Sequence, residues 1–338
     1  MRYAVAARSR APIRRILRFL RSHDRFLCSG HVRSDGDALG SQLALHHFLR
    51  AMGKRSHVVC DEGVMPDLAF LPGAGGVGGS PRDLRGPYAA VLTCDSGALS
   101  RLERITAAVT DGTAVINIDH HASNERFGTI DWVDPSYAAT GEMIYDLIAQ
   151  SGVRLNRAMA ECIYVALTTD TGRFSFSNTS VRSHLIAADL LTHGVKPAAV
   201  HHHLYRNRTP EELRLFCEAL RGMQRRGPVA WITLTRALER RCGSAPADTQ
   251  AYIDAVKSVR GVRVAMLLRE MPKPGEIKVS WRTEPPIDGV RLAKRFGGGG
   301  HPRASGATYR GTLKEAERAV IRVTLEATRK SRRGFEDS

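Results

Sequence analysis

Acidic and histidine motifs recur at the ends of short apolar runs, and this placement constrains the chain more than any other feature. They read His31-Val-Arg-Ser-Asp35-Gly-Asp37, Cys94-Asp95-Ser96-Gly97, Asp119-His120-His121 and Thr169-Asp170-Thr171-Gly172, with Phe296-Gly-Gly-Gly-Gly300-His301 far downstream. The apolar runs 26–30, 57–60, 89–94 and 114–118 read as strands. Helical patterns lie at 39–52, 139–151 and 156–168. Alternating strands and helices predict an α/β fold with a mainly parallel sheet and helices on both faces. Ligands of such sheets bind beyond the carboxyl ends of the strands, where Asp95 and Asp119 fall.

Residues 13–20 predict an amphipathic first helix. The stretch 1–23 is rich in Arg and free of acid, a faint likeness to an organellar transit peptide, but a first domain helix is the stronger reading. From 180 to 225 the chain reads as almost all helix, broken at His193-Gly194 and Thr209-Pro210. Strands follow at 229–234, 262–268 and 277–281, then a closing helix at 313–329 and a polar tail. We therefore expect a catalytic domain over 1–190, a helical connector over 191–226 and a smaller C-terminal α/β domain over 227–330.

The 338 residues carry a formal net charge of +16, which favours polyanionic partners, although an Arg-biased composition gives the same sum. Six scattered cysteines without a CxxC pair predict reduced, buried thiols and a cytoplasmic protein, with Cys94 lining the core. No apolar run reaches the length of a membrane span.

Asp35-Gly36-Asp37 places two carboxylates around a glycine that permits a tight turn, so that they can diverge toward neighbouring ions. Gly40 and Ser41 follow near a helix N-terminus, where backbone N–H groups favour anions. A lone Asp-Gly-Asp turn is usually a surface loop. With His31, Asp95, His120 and Asp170 also at element ends, a metal centre is the better reading. The four carboxylates Asp35, Asp37, Asp95 and Asp170 would repel one another unless two divalent cations neutralised them. Mixed carboxylate and imidazole donors suit Mn²⁺, with Mg²⁺, Co²⁺ or Fe²⁺ admissible, and a structural zinc site would carry more sulfur.

In order and spacing these motifs resemble those of the DHH/DHHA1 phosphoesterase family, most closely its short stand-alone branch of nanoRNases and pAp phosphatases. Asp119-His-His-Ala-Ser-Asn124, Phe127-Gly128, Trp132-Val-Asp134, Thr140-Gly-Glu142 and Asp170-Thr-Gly-Arg-Phe174 extend the likeness, which runs from about Phe26 to Thr324. The resemblance implies one cation on His31, Asp35 and Asp95 and another on Asp37, Asp95, His120 and Asp170, with Asp95 bridging. His121 would face the scissile phosphate and protonate the leaving oxygen after in-line attack by water, so Asp95 and His121 carry the catalysis. It implies further that Gly298, Gly299, Gly300 and His301 grip a nucleotide end and that Arg282 binds a terminal phosphate. Ser34 stands where many members carry proline, which implies a slightly looser turn.

The substrates so implied are RNA or DNA oligonucleotides of about two to five units, held by phosphate contacts that position without reading sequence, and pAp as a 3′-phosphatase substrate. Cyclic dinucleotides such as c-di-AMP are the alternative within the enzyme class. A RecJ-type exonuclease or a membrane-anchored cyclic dinucleotide enzyme would need additional domains, and a family II pyrophosphatase lacks the GGGGH motif. A non-catalytic RNA-binding module is the alternative of another class, and it predicts lost ligand positions, of which there are none. A homodimer is left open. Three other features receive plainer readings. His201-His-His203 sits on consecutive helical positions that cannot face one ion, and reads as surface. His46-His47 receives no role, and Trp281 reads equally as core or as a base-stacking platform. Glu142, heading a helix, is a candidate for orienting the metal shell.

Overall fold

The computed structural model describes residues 5–32, 34–79, 87–246 and 249–336. The chain divides into two compact units, Met1–Asn207 and Arg208–Ser338. That boundary falls inside the segment expected as a connector.

The first unit holds a parallel sheet of five strands: β1 (Phe26–Gly30), β2 (Ser56–Val58), β3 (Ala90–Cys94), β4 (Ala114–Asp119) and β5 (Ile130–Val133), in the order β2-β1-β3-β4-β5. β1 and β3 are buried at every position, as continuous apolar runs in parallel strands require. The main core packs one sheet face against α1 (Ala7–Ser22), α2 (Gly36–Ala51), α3 (Thr140–Ser151), α4 (Arg157–Asp170) and α5 (Val181–Thr192). The alternation of elements predicts helices on both faces, but among the described residues no long helix covers the opposite one. Leu27, Val59 and Val91 pack there against Leu102 and Ile105 of a 3₁₀ segment, Leu99–Ala108.

Helix α2 runs through the middle of this unit. A Cβ at Gly40 would stand 2.5 Å from the Cys162 carbonyl of α4, and one at Gly36 would stand 2.5 Å from the Thr169 side chain. Gly36 thus serves close helix packing rather than a tight turn, and Gly40 brings α2 against α4 rather than exposing amides to an anion. Helix α6 (Pro197–Tyr205) carries His201, His202 and His203, all exposed, and His203 stacks on Phe70 with ring centroids 4.4 Å apart.

The second unit is built on a mixed sheet with the order β10-β11-β9-β8-β7-β6. Its strands are β6 (Gln224–Arg226), β7 (Val229–Leu234), β8 (Val264–Glu270), β9 (Glu276–Thr283), β10 (Gly299–Gly300) and β11 (Ala304–Arg310). One face packs on α10 (Gly289–Lys294) and α11 (Leu313–Glu336), the other on α7 (Pro210–Arg221), α8 (Arg236–Cys242) and α9 (Gln250–Lys257). Trp281 is fully buried on the α11 side and donates to Thr324 Oγ1 at 3.2 Å, so it is core and not a stacking platform. Among the described residues, no helix is long and apolar enough to cross a membrane.

Candidate metal centre

Strand β1 delivers His31 one residue past its end, β3 delivers Asp95 and β4 ends on Asp119 before His120 and His121. Asp35 caps α2, accepting the amides of Asp37 and Ala38, and Asp37 follows in its first turn. Asp170 ends α4. The residues expected as metal ligands therefore converge at the carboxyl end of the parallel sheet. Three sets of donor atoms lie within 4.8 Å of one another: His31, Asp35 and Asp95; Asp37, His120 and Asp170; and Asp95, His120 and His121.

Asp95 sits between the sets. Its Oδ2 lies 3.6 Å from His31 Nε2, and its Oδ1 lies 3.5 Å from His120 Nε2 and 3.4 Å from His121 Nδ1. The backbone of Asp95 has a left-handed φ of 58°, a conformation that costs a non-glycine residue about 1 kcal/mol or more. The Asp95 amide is held by the Ile118 carbonyl at 3.0 Å. His120 Nε2 also lies 3.8 Å from Asp37 and 3.6 Å from Asp170.

The imidazoles are oriented from behind. His31 Nδ1 pairs with the Val32 carbonyl at 2.8 Å and His120 Nδ1 with the Tyr137 carbonyl at 3.2 Å, so each turns Nε2 toward the carboxylates. Asp37 accepts the amides of Thr140 and Gly141, at 2.7 and 2.9 Å, from the first turn of α3, and the Ser41 hydroxyl at 3.1 Å. Thr140 Oγ1 donates to Asp95 Oδ1 at 3.1 Å.

The electrostatics suit a cation. Burial, then the charges of Asp95, Asp170 and Asp35, hold the Asp37 carboxyl well above the usual carboxylate range. Burial also lifts Asp170, to about 7, with Asp95 and Asp35 adding to it. Burial alone would raise Asp95, but the His31 hydrogen bond and the neighbouring imidazoles pull it down. Carboxylates that resist ionisation together, facing imidazole nitrogens and no thiol, fit a pair of hard or borderline divalent ions. Cys94 is buried, and its thiol is pushed well up by that burial, so it lines the core.

Two functional groups were not singled out from the motifs. Asp119 is wholly buried; its Oδ1 accepts His121 Nδ1–H at 2.7 Å, and its Oδ2 accepts the Asn124 side chain at 2.6 Å. Burial opposes charge on His121, yet the Asp119 bond and the Asp95 charge carry its pKa to about 9. Asn178 donates to the carbonyls of Ala138 and Asp170, both at 3.0 Å, and to Asp170 Oδ2 at 3.3 Å. Asp119 and Asn124 lie in the quoted motif, but their bonds appear only once the chain is folded. Glu142 accepts the Ala138 amide at 3.2 Å and the Ser183 hydroxyl at 2.6 Å, supporting the loop below Asn178. Ser34 does not loosen its turn: its hydroxyl donates to the His31 carbonyl at 2.8 Å and accepts Gln42 Nε2 at 3.2 Å.

In the second unit, Arg282 on β9 lies opposite Ala304 of β11, beside the glycine hairpin, and pairs with Asp254 at 3.6 Å. Gly299 and Gly300 form β10, and His301 is exposed at the turn. The amides of Gly297 and Gly298 are already bonded to the carbonyls of Lys294 and Ala293. They are not directed at a phosphate, so the expected grip does not use the Gly298 amide. A Cβ at Gly298 would stand 2.1 Å from the Gly306 carbonyl, whereas one at Gly299 meets nothing within 4 Å.

Residues 25–167 match the N-terminal domain of the DHH family and residues 237–327 match the DHHA1 domain. A bifunctional oligoribonuclease and PAP phosphatase NrnA of Thermus thermophilus is 36% identical over 88% of this chain and 87% of its own length. The protein of the same name from Bacillus subtilis is 28% identical over 87% and 92%. An exopolyphosphatase-related protein of Bacteroides fragilis superposes with a TM-score of 0.87 at 27% identity, covering 98% of both chains.

Proposed function

This chain belongs to the DHH phosphoesterase family, and we propose that it hydrolyses short oligonucleotides to 5′-mononucleotides and removes the 3′-phosphate of pAp. The two NrnA relatives, both named for these activities and similar over most of the chain, support this reading. The observation that carries it is the division of Asp95, with one carboxylate oxygen toward His31 and the other toward His120.

His31, Asp35 and Asp95 would hold one cation and Asp37, Asp95, His120 and Asp170 the other, Mn²⁺ being the ion their mixed donors favour. When bound, such ions supply Lewis-acid charge to phosphoryl oxygens and make water a stronger nucleophile at neutral pH. Asp119 fixes His121 with Nδ1 as the donor to the carboxylate, so Nε2 is the nitrogen that hydrogen-bonds the phosphate. The Asp119 carboxylate behind the ring favours its protonated form, which can give a proton to the leaving oxygen as the P–O bond breaks. Arg282 and His301 are the groups proposed to take a terminal phosphate, with Gly299 and Gly300 leaving the hairpin surface open to it. All six cysteines are unpaired, in keeping with a cytoplasmic setting.

The test is a Mn²⁺-dependent digestion panel of 5′-labelled RNA dimer, pentamer and 24-mer, pAp and c-di-AMP, with Asp95→Ala as control. Rapid loss of the dimer and slow loss of the 24-mer is expected, with phosphate release from pAp. Fastest turnover of c-di-AMP would overturn the substrate assignment. The absence of any metal-dependent cleavage would overturn the enzymatic one.

A further inference from the structure

Helix α1 contains no acidic residue. Its apolar positions Ile13, Ile16, Leu17 and Leu20 are buried in the core of the first unit. Three of its arginines bond within that unit. Arg8 Nε and Nη2 donate to the Asp134 carboxylate at 2.7 and 2.8 Å, Arg15 donates to the Thr129 carbonyl at 3.0 Å and Arg21 to the Ser151 carbonyl at 3.2 Å. Arg10, Arg14 and Arg18 are different. They are exposed, and their guanidinium groups have no hydrogen bond or ion pair with any described residue. Spaced four residues apart, they form one stripe with steps of about 6 Å. Arg14, Arg18 and Arg21 also line a shallow concavity with Leu17 and Gln150.

The direction of the stripe is set by what anchors the helix. Arg8 and Ser9 bind Asp134, whose amide bonds the Asp119 carbonyl at 3.0 Å. Thr129 lies just before β5, and Ser151 ends α3. Helix α1 thus starts at the catalytic end of the sheet and runs away from it, antiparallel to β5. The charges therefore lead outward from the rim of the metal centre.

We propose that Arg10, Arg14 and Arg18 form an accessory binding track for the phosphate backbone of single-stranded RNA, engaged by oligonucleotides too long to be contained at the catalytic centre. Three unpaired cations in line match a polyanion, and arginine suits phosphate through its two-pronged geometry. A lipid surface is the poorer match, because a membrane-lying helix inserts its apolar face and that of α1 is spent on the core. The proposal takes RNA as the polyanion from the functional reading above, but binding at the track needs no hydrolysis.

The test compares the wild-type protein with R10Q/R14Q/R18Q and with R318Q/R322Q/R329Q, which removes the same charge from exposed positions of α11. Binding of a fluorescent 24-mer RNA is followed by anisotropy in EDTA over a salt series. Each phosphate contact on a single strand adds about 0.7 to the log–log salt slope, so losing the track should flatten it by about 2 and weaken binding about tenfold at low salt. The α11 variant should change little, and Mn²⁺-dependent turnover of a dinucleotide should be the same in all three proteins. Equal losses in both variants would overturn the track in favour of diffuse charge. An unchanged slope in the α1 variant would overturn it outright. Retained RNA binding with lost binding to phosphatidylserine vesicles would overturn it in favour of a membrane contact. Failure of the wild-type protein to cleave the dinucleotide sinks the hydrolase reading alone, since the anisotropy does not depend on it.

Discussion

Asp119 Oδ1 lies 2.7 Å from His121 Nδ1, and this contact decides which nitrogen of His121 serves a substrate. Asp119→Asn should lower kcat about 10- to 100-fold, because a neutral amide no longer stabilises the imidazolium that holds a proton on Nε2 while Nδ1 donates. Bound manganese, measured by elemental analysis, should be unchanged. A variant with full kcat would refute an orienting role.

Asp95 belongs to two of the three donor sets and lies 3.5 Å from His120, which belongs to the third, so its loss should be felt at both proposed ions. Mn²⁺ at about 100 times its Kd should stabilise the wild-type protein by about 2.7 kcal/mol, read as a rise in melting temperature. Asp95→Ala should abolish most of that rise, and chelation should reverse it in the wild type. A melting temperature indifferent to Mn²⁺ would remove the basis for the metal assignment.

Ser34 ties the His31 backbone to Gln42 on α2. Ser34→Ala removes two buried bonds and should cost about 1–2 kcal/mol in urea unfolding. The kcat should fall less than that stability loss, since the ligand atoms keep other partners. An unaltered unfolding midpoint would show that the serine is replaceable.

The glycine hairpin separates packing from recognition. Gly298→Ala drives a methyl into the Gly306 carbonyl and should destabilise by about 1–3 kcal/mol. Gly299→Ala meets open space and should leave the melting temperature alone while raising KM for pAp. If Gly299→Ala leaves KM untouched, the hairpin is not a phosphate site.

His46 links stability to pH. Burial, then His47, Arg50 and His57, lowers its pKa to about 4, and Nδ1 pairs with the Ser56 hydroxyl at 2.8 Å. The unfolded chain takes up its proton near the ordinary value of about 6.5, before the folded one does. This contribution to stability is therefore complete above pH 6.5, declines as the pH falls toward about 4 and changes no further below that. Urea midpoints at pH 7 and pH 5 should differ less in His46→Gln than in the wild type, and an equal difference would exclude His46 as the source.

The sheet was legible because its strands are short apolar runs ending on acid, a pattern that parallel strands with ligands at their carboxyl ends produce. The clustered carboxylates and imidazoles were legible for the same reason. What escaped depends on distances between segments far apart in the chain. Thr140 and Gly141 reach Asp37 across more than a hundred residues, and Asn178 reaches Asp170 from a loop without a motif. Strand β6, Gln224–Arg226, has every side chain exposed and so lacks the alternation that would have distinguished it from the helical connector. The role of Gly36 is set by Thr169, a neighbour that no local pattern reveals.

The amides at the head of α3 that hold Asp37 join two helices as well as orienting its carboxylate. A descendant that stopped hydrolysing anything would still need that carboxylate to seat α3 on α2. Persistence of Asp37 in a related sequence therefore testifies to a working scaffold. Asp170, whose carboxylate meets Asn178 and His120 but accepts from no helix amide among the described residues, is the position whose decay would first betray a retired enzyme.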